Sequence, residues 1–234
     1  MTGAGRALLV HTARMDYAQS WDVQRRLADA RRAGRIPDVV WLLEHPPVYT
    51  VGRHGTRADL FVSDEELAAL GAGFHRIDRG GQMTWHGPGQ TTGYVIADLR
   101  PGRRVRPFVE ALVGAMADAA AACGVEGADP GADAMGLYRE GRKLGSVGIR
   151  VKGWVTSHGI ALNRDPDPRW FARMTACGAP DVPATSLAAE GGDPTRERVE
   201  AVLADALGRR LARDLRPARL GEVLADAGPA GDPA

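Results

Sequence analysis

Apolar runs and an amphipathic stretch alternate along the first part of the chain. Residues 6–12 and 38–44 are short apolar runs, which predict two buried strands. The residues between them, 16–35, carry a helical apolar period, with Asp16 as a capping residue and Gly34 after the last turn. The pattern therefore predicts a strand, a helix and a strand in that order.

The middle of the chain adds a loop, a strand and a long helix. Residues 44–55 contain two adjacent prolines, which exclude a helix and predict a loop. Residues 93–99 form another apolar run and predict a third strand. Residues 106–124 predict a helix, since a proline stands in its first turn and a glycine follows its last.

From residue 135 the apolar period changes from helical to alternating. Residues 135–163 predict three antiparallel strands joined by turns at Gly141 and Gly153. A short helix is expected to begin at Pro168. Residues 193–215 predict a last amphipathic helix, whose first two residues, an aspartate and a proline, are the expected cap and first turn.

The order of these elements indicates the fold class. Strands and helices mix without a regular β-α-β period, an internal repeat or an interdomain linker. We therefore expect an α+β fold, a mixed α/β sandwich, in a single catalytic domain over residues 1–224. Residues 225–234 are rich in Gly, Pro and Ala and are expected to form a disordered tail.

Composition narrows the class of protein further. The chain has 234 residues and a formal net charge of +1, so no bulk attraction to nucleic acid is expected. No apolar stretch approaches the ~20 residues of a membrane span, and the N-terminal apolar run is too short for a secretory signal. Two cysteines do not make a disulfide framework, so we expect a reducing, cytoplasmic location.

Residues 79–90, RGGQMTWHGPGQ, combine turn-forming residues with bulky and basic ones. Glycine allows the backbone to approach a ligand closely. A plain surface turn would use small polar residues around it instead. We therefore expect a loop that wraps a ligand, with Arg79 and His86 facing it.

Two cysteines and a lysine are the next candidates for chemistry. Cys177 precedes a glycine in a loop bounded by prolines, whereas Cys123 ends a predicted helix among alanines, as a small buried residue does. Lys143 is one of only two lysines in an arginine-rich chain, which favours a task that requires giving up a proton. From the residues alone, Cys177 can also be structural, and Lys143 can be a solvated turn residue.

Two histidines stand beside glycine or serine, His86 in TWHGPGQ and His158 in TSHGIALN. Each can line a pocket or be a hydrogen-bonded core residue. Together with Cys177 they can be imagined as a metal site, but the chain has no paired spacing such as C-x-x-C or H-x-x-x-H. We therefore expect no metal and no cofactor.

Four segments together resemble the octanoyltransferases of lipoate biosynthesis, the lipoyl(octanoyl) transferase family. These segments are EHPPVYTVGRHG (44–55), RGGQMTWHGPGQTTGYVIADL (79–99), GRKLGSVGIRVKGWVTSHGIALN (141–163) and the ACG around Cys177. They follow the family's order, and the second is highly specific. Trp85 stands where the family more often has tyrosine, and Ala176 stands where a proline commonly precedes the cysteine.

The resemblance implies a fold, a reaction and partners. The implied fold is that of the catalytic domains of biotin and lipoate protein ligases, a mixed sheet with flanking helices. In the implied reaction, an octanoyl group passes from acyl carrier protein to Cys177 as a thioester, with Lys143 as catalytic partner. It then passes to a lysine ε-amine on lipoyl domains of 2-oxoacid dehydrogenase E2 subunits or on the glycine cleavage H protein. Members of the family are often monomeric.

The chemistry of thioesters is consistent with that pair. Transfer between thioesters is nearly isoenergetic, so ATP is not needed and cysteine is a suitable nucleophile. Lys143 as an ammonium favours the Cys177 thiolate and can exchange its proton, which arginine cannot do. The backbone around Gly178 and at 146–148 is the expected source of N–H donors for an oxyanion.

By resemblance, the acyl chain is expected to lie in a narrow tunnel with a closed end. The residues implied to bind it are Arg79, Gly80, Gly81, Gln82, Met83, Thr84, Trp85, His86, Ser146, Val147, Gly148, His158, Gly159, Ile160 and Ala161. Met83 and Trp85 are expected to supply apolar wall, although Trp85 can also be a core residue. Each buried CH₂ contributes ~0.8 kcal/mol, so such a tunnel discriminates by chain length.

Three other functions remain open from the sequence. An ATP-dependent lipoate or biotin ligase shares the fold but needs no cysteine. A catalytically inactive lipoyl-domain-binding module would have lost Cys177 or Lys143. A Cys–His hydrolase or amidotransferase would need an orienting acid and transfer to water or ammonia, and nothing in the sequence demands either. The presence of both Cys177 and Lys143 favours the transferase.

Overall fold

A computed structural model of the chain describes residues 5–131, 135–175 and 182–229. The first half contains β1 (Gly5–Arg14), α1 (Tyr17–Arg32), β2 (Asp38–Glu44), β3 (Val48–Val51), a 3₁₀ turn (Arg57–Asp59), α2 (Asp64–Ala69), β4 (Gly73–Arg76), β5 (Met83–His86), β6 (Gln90–Ile96) and α3 (Val105–Ala122). The second half contains β7 (Asp129–Pro130), β8 (Gly136–Arg139), β9 (Arg142–Lys152), β10 (Val155–Asn163), a 3₁₀ helix (Pro168–Arg173), α4 (Arg196–Arg210), β11 (Arg213–Pro217) and α5 (Leu220–Ala227).

The larger sheet is mixed and has the strand order β11-β1-β2-β6-β10-β9-β8-β7. Its β11, β1 and β2 run parallel, and the remaining neighbours pair antiparallel. Alternate residues of β2 face opposite sides: Trp41 packs in an apolar cluster with residues of α1 and α5, and Leu42 in another with residues of α3 and α4. This mixed sheet with flanking helices confirms the fold class expected from the sequence.

A smaller sheet has the order β4-β3-β5 and includes part of the range predicted as a loop. The prediction of a loop over 44–55 is wrong for Val48–Val51, which pairs antiparallel with Met83–His86. The two prolines do exclude a helix, but the β-branched residues that follow them have extended partners on both sides. The loop that was expected to wrap a ligand therefore contains a strand, β5.

The starts of two helices test the capping predictions. Asp16 accepts a hydrogen bond from the Gln19 N–H at 3.2 Å, which confirms it as the cap of α1. The predicted Asp193 cap of the last helix is wrong, because α4 begins after Thr195, whose side chain accepts from the Arg198 N–H. The Asp193 N–H instead donates to the carbonyl of Cys123, a tertiary contact that the local pattern does not reveal.

The end of the described chain is more ordered than expected. Helix α5 extends to Ala227, which is fully buried, so the predicted boundary at residue 224 falls inside a helix. The remaining residues of the expected tail, from 230 onward, lie outside the described part. Over the described ranges, no helix is both long enough and apolar enough to cross a lipid bilayer.

The predicted three-stranded meander over 135–163 is confirmed as β8, β9 and β10. Gly141 and Gly153 lie at its two turns with φ of 77° and 57°, in the left-handed region that glycine occupies without strain. This meander supplies three of the eight strands of the main sheet and carries much of the candidate site.

Gly159 in β10 is a position at which the sheet tolerates no side chain. A Cβ atom there would collide with the carbonyl oxygen of Gly93 on β6. We expect Gly159→Ala to lower the free energy of unfolding by about 2–3 kcal/mol, measured by urea denaturation. Gly221→Ala in α5 is the control, because a Cβ there meets nothing within 4 Å, and its stability should be unchanged or slightly higher. Equal stability of the two variants would contradict the close approach of β6 and β10.

Candidate active site

A cavity of about 570 Å³ lies on the α1 face of the main sheet, beneath the loop that contains β5. The lining residues are Tyr17, His54, Arg79, Gly80, Gly81, Gln82, Thr84, His86, Thr92, Tyr94, Met135, Lys143, Ser146, Val147, Gly148, His158, Gly159, Ile160 and Ala161. Every residue that the resemblance implied for acyl binding is in this set, except Met83 and Trp85. The expected catalytic residue Lys143 also lines the cavity.

The floor of the cavity comes from one face of three adjacent strands. In the register of the sheet, Gly148 lies beside Gly159, and Ser146 lies beside Ala161. Directly paired residues of neighbouring strands point to the same face, so these side chains form a common surface. Because they are small, they leave room for a ligand above the sheet.

The roof is the glycine-rich loop, which hydrogen bonds hold against the sheet. The Gly80 N–H donates to the carbonyl of Ile149 at 2.9 Å. The Arg79 guanidinium, 7% exposed, donates to the carbonyl and hydroxyl oxygens of Thr50 at 2.9 and 3.0 Å. A Cβ atom at Gly148 would lie only 2.9 Å from Cδ of Arg79, so glycine at this position makes room for the arginine.

Met83 and Trp85 do not supply the expected apolar wall. Successive residues of a strand face opposite sides, so Thr84 and His86 face the cavity while Met83 and Trp85 face away from it. Both are fully buried in a separate apolar cluster, where the Trp85 ring stacks on Trp170 with centroids 5.5 Å apart. The alternative interpretation of Trp85 as a core residue is therefore confirmed.

Several lining residues were missed from the sequence, notably Tyr17 and Tyr94. Tyr94 shares a face of β6 with Thr92, and the alternation along the predicted third strand was a signal for both. Tyr17 gave no such signal, because it reaches the cavity only through the packing of α1. Its ring stacks on His86, with centroids 5.8 Å apart and planes 13° apart. Burial and the neighbouring Tyr94 raise the pKa of Tyr17 well above its usual value.

His45 was also missed, and it orients Tyr94. Its Nδ1 donates to the carbonyl of Met15 at 2.7 Å, so its Nε2 accepts from the Tyr94 hydroxyl at 2.7 Å. Burial lowers the pKa of His45 to about 4, which keeps the ring neutral. Tyr94 therefore gives its only hydroxyl proton to His45.

His158 both lines the cavity and is a hydrogen-bonded buried residue. Its Nε2 donates to Asp78 Oδ1 at 2.9 Å, and Asp78 also pairs with Arg150. Burial lowers the pKa of His158, although the carboxylate of Asp78 opposes that shift. The residue has a φ of 60°, and its backbone N–H donates to Gln24 Oε1 at 2.9 Å, which helps to hold this strained conformation.

Lys143 is buried at the edge of the cavity, with 6% of its surface exposed. Its Nζ lies over the Tyr138 ring, 5.3 Å from the centroid. The backbone of Lys143 is paired with residues that follow Cys177 in the sequence: its N–H donates to the Pro183 carbonyl at 2.8 Å, and its carbonyl accepts from the Thr185 N–H at 2.9 Å. A solvated turn is therefore excluded for Lys143.

Cys177 and its neighbours Ala176 and Gly178 lie outside the described residues. Cys123, in contrast, is 1% exposed in the main apolar cluster, and burial raises the pKa of its thiol. This confirms Cys123 as a small buried residue. Among residues 5–131, 135–175 and 182–229, no three His, Cys, Asp or Glu side chains are grouped so that they could hold a metal ion.

Comparison with known proteins identifies the family. The model of the lipoyl protein ligase A/B catalytic domain matches residues 16–208. An octanoyltransferase from Geobacter sulfurreducens is 43% identical over 185 residues, which cover 79% of this chain and 75% of that protein. The chain belongs to the octanoyltransferase family. Another similar member is the mitochondrial octanoyltransferase LIP2 of Arabidopsis thaliana, 36% identical over 203 residues that cover 86% of each chain.

Solved structures share the fold of this octanoyltransferase-family chain at low sequence identity. Lipoate-protein ligase A bound with ATP superimposes with a TM-score of 0.75 at 14% identity, covering 96% of this chain and 92% of that one. A bipartite lipoate protein ligase from Thermoplasma acidophilum gives a TM-score of 0.70 at 15% identity, covering 96% and 90%. These similarities establish the fold. The reaction has to be inferred from the residues of the site.

Proposed function

We propose that this protein transfers an octanoyl group from octanoyl-acyl carrier protein to Cys177 as a thioester, and from there to a lipoyl-domain lysine. The acceptors would be lipoyl domains of 2-oxoacid dehydrogenase E2 subunits and the glycine cleavage H protein. The proposal includes a monomeric, cytoplasmic enzyme that needs no cofactor. The similarity to octanoyltransferases supports octanoyl as the group that is transferred.

The burial of Lys143 at the cavity edge is the observation that carries this proposal. Its backbone is hydrogen-bonded to Pro183 and Thr185, which follow Cys177 by six and eight positions in the sequence. An amine and a thiol that approach one another at the mouth of a cavity can share a proton. The pairing of Lys143 with this segment therefore supports a Cys177–Lys143 pair.

The proton that Lys143 carries is given up in the first transfer step and regained in the second. In the first step the Cys177 thiolate attacks the carbonyl carbon of the donor thioester, and the departing pantetheine thiolate takes a proton from the Lys143 ammonium. In the second step the acceptor amine attacks the Cys177 thioester and gives its proton to Lys143, while the Cys177 thiolate leaves. The products are an amide and the original thiolate–ammonium pair.

The floor of the cavity is suited to the acyl chain. Its residues Ser146, Gly148, Gly159 and Ala161 give an alkyl chain a flat surface to pack on. The Val147 N–H, one expected oxyanion donor, already donates to the Met135 carbonyl at 3.0 Å. We therefore assign oxyanion stabilisation to the backbone near Gly178 in preference to the Val147 N–H.

Intact-protein mass spectrometry tests the proposal directly. Incubation with octanoyl-acyl carrier protein should add one octanoyl mass, removable by hydroxylamine, and a lipoyl domain added afterwards should take up that mass on one lysine. Reaction with free octanoate and ATP, without any adduct from the acyl carrier protein, would instead identify a ligase. Release of free octanoate without transfer would identify a hydrolase.

A further inference from the structure

The glutamine of the HGPGQ motif, Gln90, has no role in the mechanism described so far. It pairs across the sheet with Asn163, the last residue of β10. The two residues are 2% and 4% exposed, so their amide groups must find hydrogen-bond partners inside the protein. Those partners connect Gln90 to the cavity through His86.

Two backbone carbonyls fix the direction of the hydrogen bonds through these amides. The Thr185 carbonyl can only accept, so Asn163 presents Nδ2 to it at 2.9 Å, which leaves Oδ1 for Gln90. The Trp85 carbonyl also only accepts, so Gln90 presents Nε2 to it at 3.2 Å and to Asn163 Oδ1 at 2.9 Å. The remaining oxygen, Gln90 Oε1, lies 2.8 Å from His86 Nδ1. Since this oxygen can only accept, Nδ1 of His86 carries the proton.

The charge of His86 follows from its surroundings. The titratable and charged groups around its ring are Tyr17, His45, Arg79 and His158. Burial, followed by His45 and Arg79, holds the pKa of His86 well below its usual value, so the ring is neutral. A neutral imidazole protonated at Nδ1 has a lone pair on Nε2. That lone pair is what His86 can offer to a group bound in the cavity.

We infer that Gln90 and Asn163 are positioning residues that hold His86 as a hydrogen-bond acceptor for the attacking lysine amine. This inference rests on the proposed function. A lone pair cannot donate to the thioester oxygen or to an oxyanion, so His86 does not stabilise the developing negative charge.

The acceptor amine, by contrast, has N–H bonds to give. One N–H bonded to His86 Nε2 leaves the nitrogen lone pair free to be directed at the thioester carbon. The proton that the amine loses as the amide forms still goes to Lys143, and the bond to Cys177 sulfur breaks. His86 thus orients the nucleophile without changing its own protonation state.

The tautomer of His86 is the first test, and it needs no variant that alters the amide pair. In ¹⁵N-histidine-labelled protein, His86 should show a protonated Nδ1 and an unprotonated Nε2 at neutral pH, with its signals assigned by their loss in His86→Gln. A proton on Nε2 of His86 would overturn the inference.

The second test is the pH dependence of transfer in Gln90→Glu. A carboxylate beside Nδ1 raises the pKa of His86 relative to the wild type, and the imidazolium that forms carries a proton on Nε2. Transfer from preformed octanoyl-enzyme to a lipoyl domain should then be several-fold slower than wild type at about pH 5.5–6, where protonated His86 is most populated. The ratio of variant to wild-type rate should rise toward one between about pH 6 and pH 8, because His86 loses the added proton.

The control is Gln19→Glu, which introduces the same charge at an exposed position of α1 and should match wild type at every pH. A ratio for Gln90→Glu that does not change with pH would overturn the inference. Formation of octanoyl-enzyme is measured in parallel in the wild type. If no octanoyl-enzyme forms, the proposed function fails; if it forms and His86 carries its proton on Nε2, only the positioning role fails. Should Gln90→Glu not fold, the tautomer in the wild type still decides.

Discussion

Replacing Cys177 by serine is expected to abolish formation of the octanoyl-enzyme and to lower turnover by on the order of 10³-fold or more. The serine hydroxyl is far less acidic than a thiol, so a neighbouring ammonium cannot hold it as the reactive anion at neutral pH. The adduct is measured by intact mass after exposure to octanoyl-acyl carrier protein, and turnover by octanoyl uptake on a lipoyl domain.

Cys123→Ala is the matched control for this experiment. The thiol of Cys123 is buried in the apolar cluster and its pKa is raised, so it is not expected to react with a thioester or with an alkylating reagent. The variant should form the adduct and turn over at nearly the wild-type rate. A hydroxylamine-sensitive adduct on Cys177→Ser, or a folded but inactive Cys123→Ala, would mean that Cys177 is not the acyl carrier.

The fold was predictable where the signal was local. The alternation over residues 135–163 is a property of neighbouring positions, and it gave the meander and both of its turns correctly. The strand at Val48–Val51 was missed because it is only four residues long and follows two prolines. The cap of α4 was misplaced because the Asp193 carboxylate pairs with the Arg198 side chain and its N–H makes a tertiary hydrogen bond to the Cys123 carbonyl.

The candidate site was predictable as a set of residues but not as an arrangement. The resemblance named the loop and the strands, and the register of β9 and β10 then explains why Ser146 and Gly148 share a surface with Gly159 and Ala161. It could not separate Met83 from Thr84, since that requires knowing which face of β5 meets the cavity.

The hydrogen bonds that hold the polar side chains of the site join residues that are far apart in the sequence. The hydrogen bond that joins Gln90 to Asn163 connects residues 73 positions apart. His45 reaches Tyr94 in the same way, across 49 positions. Such pairs leave no periodic pattern in the sequence. The sequence left open whether His86 and His158 line a pocket or are buried core residues. Both descriptions hold, because each ring is buried, which lowers its pKa, and each also lines the cavity.

Conversion of Lys143 to arginine separates the charge of this residue from its proton. Arginine keeps a positive charge but does not release a proton at neutral pH. We therefore expect Lys143→Arg to lose on the order of 10²-fold or more in turnover, which is the usual contribution of a general acid–base group. Lys152→Arg, the same change at the only other lysine and at an exposed position, should leave turnover unaffected.

The size of the pocket around Lys143 makes a second variant necessary. A Cβ atom at Gly136 would lie 2.9 Å from Cε of Lys143, so the larger arginine side chain has little room. Lys143→Met keeps a similar length without the charge. The rate of Cys177 alkylation as a function of pH then distinguishes the roles: Lys143→Arg should keep a wild-type profile while turnover falls, and Lys143→Met should shift the profile to higher pH. If Lys143→Arg turned over normally, the amine would supply only charge, and the proton of each transfer step would have to move through another group.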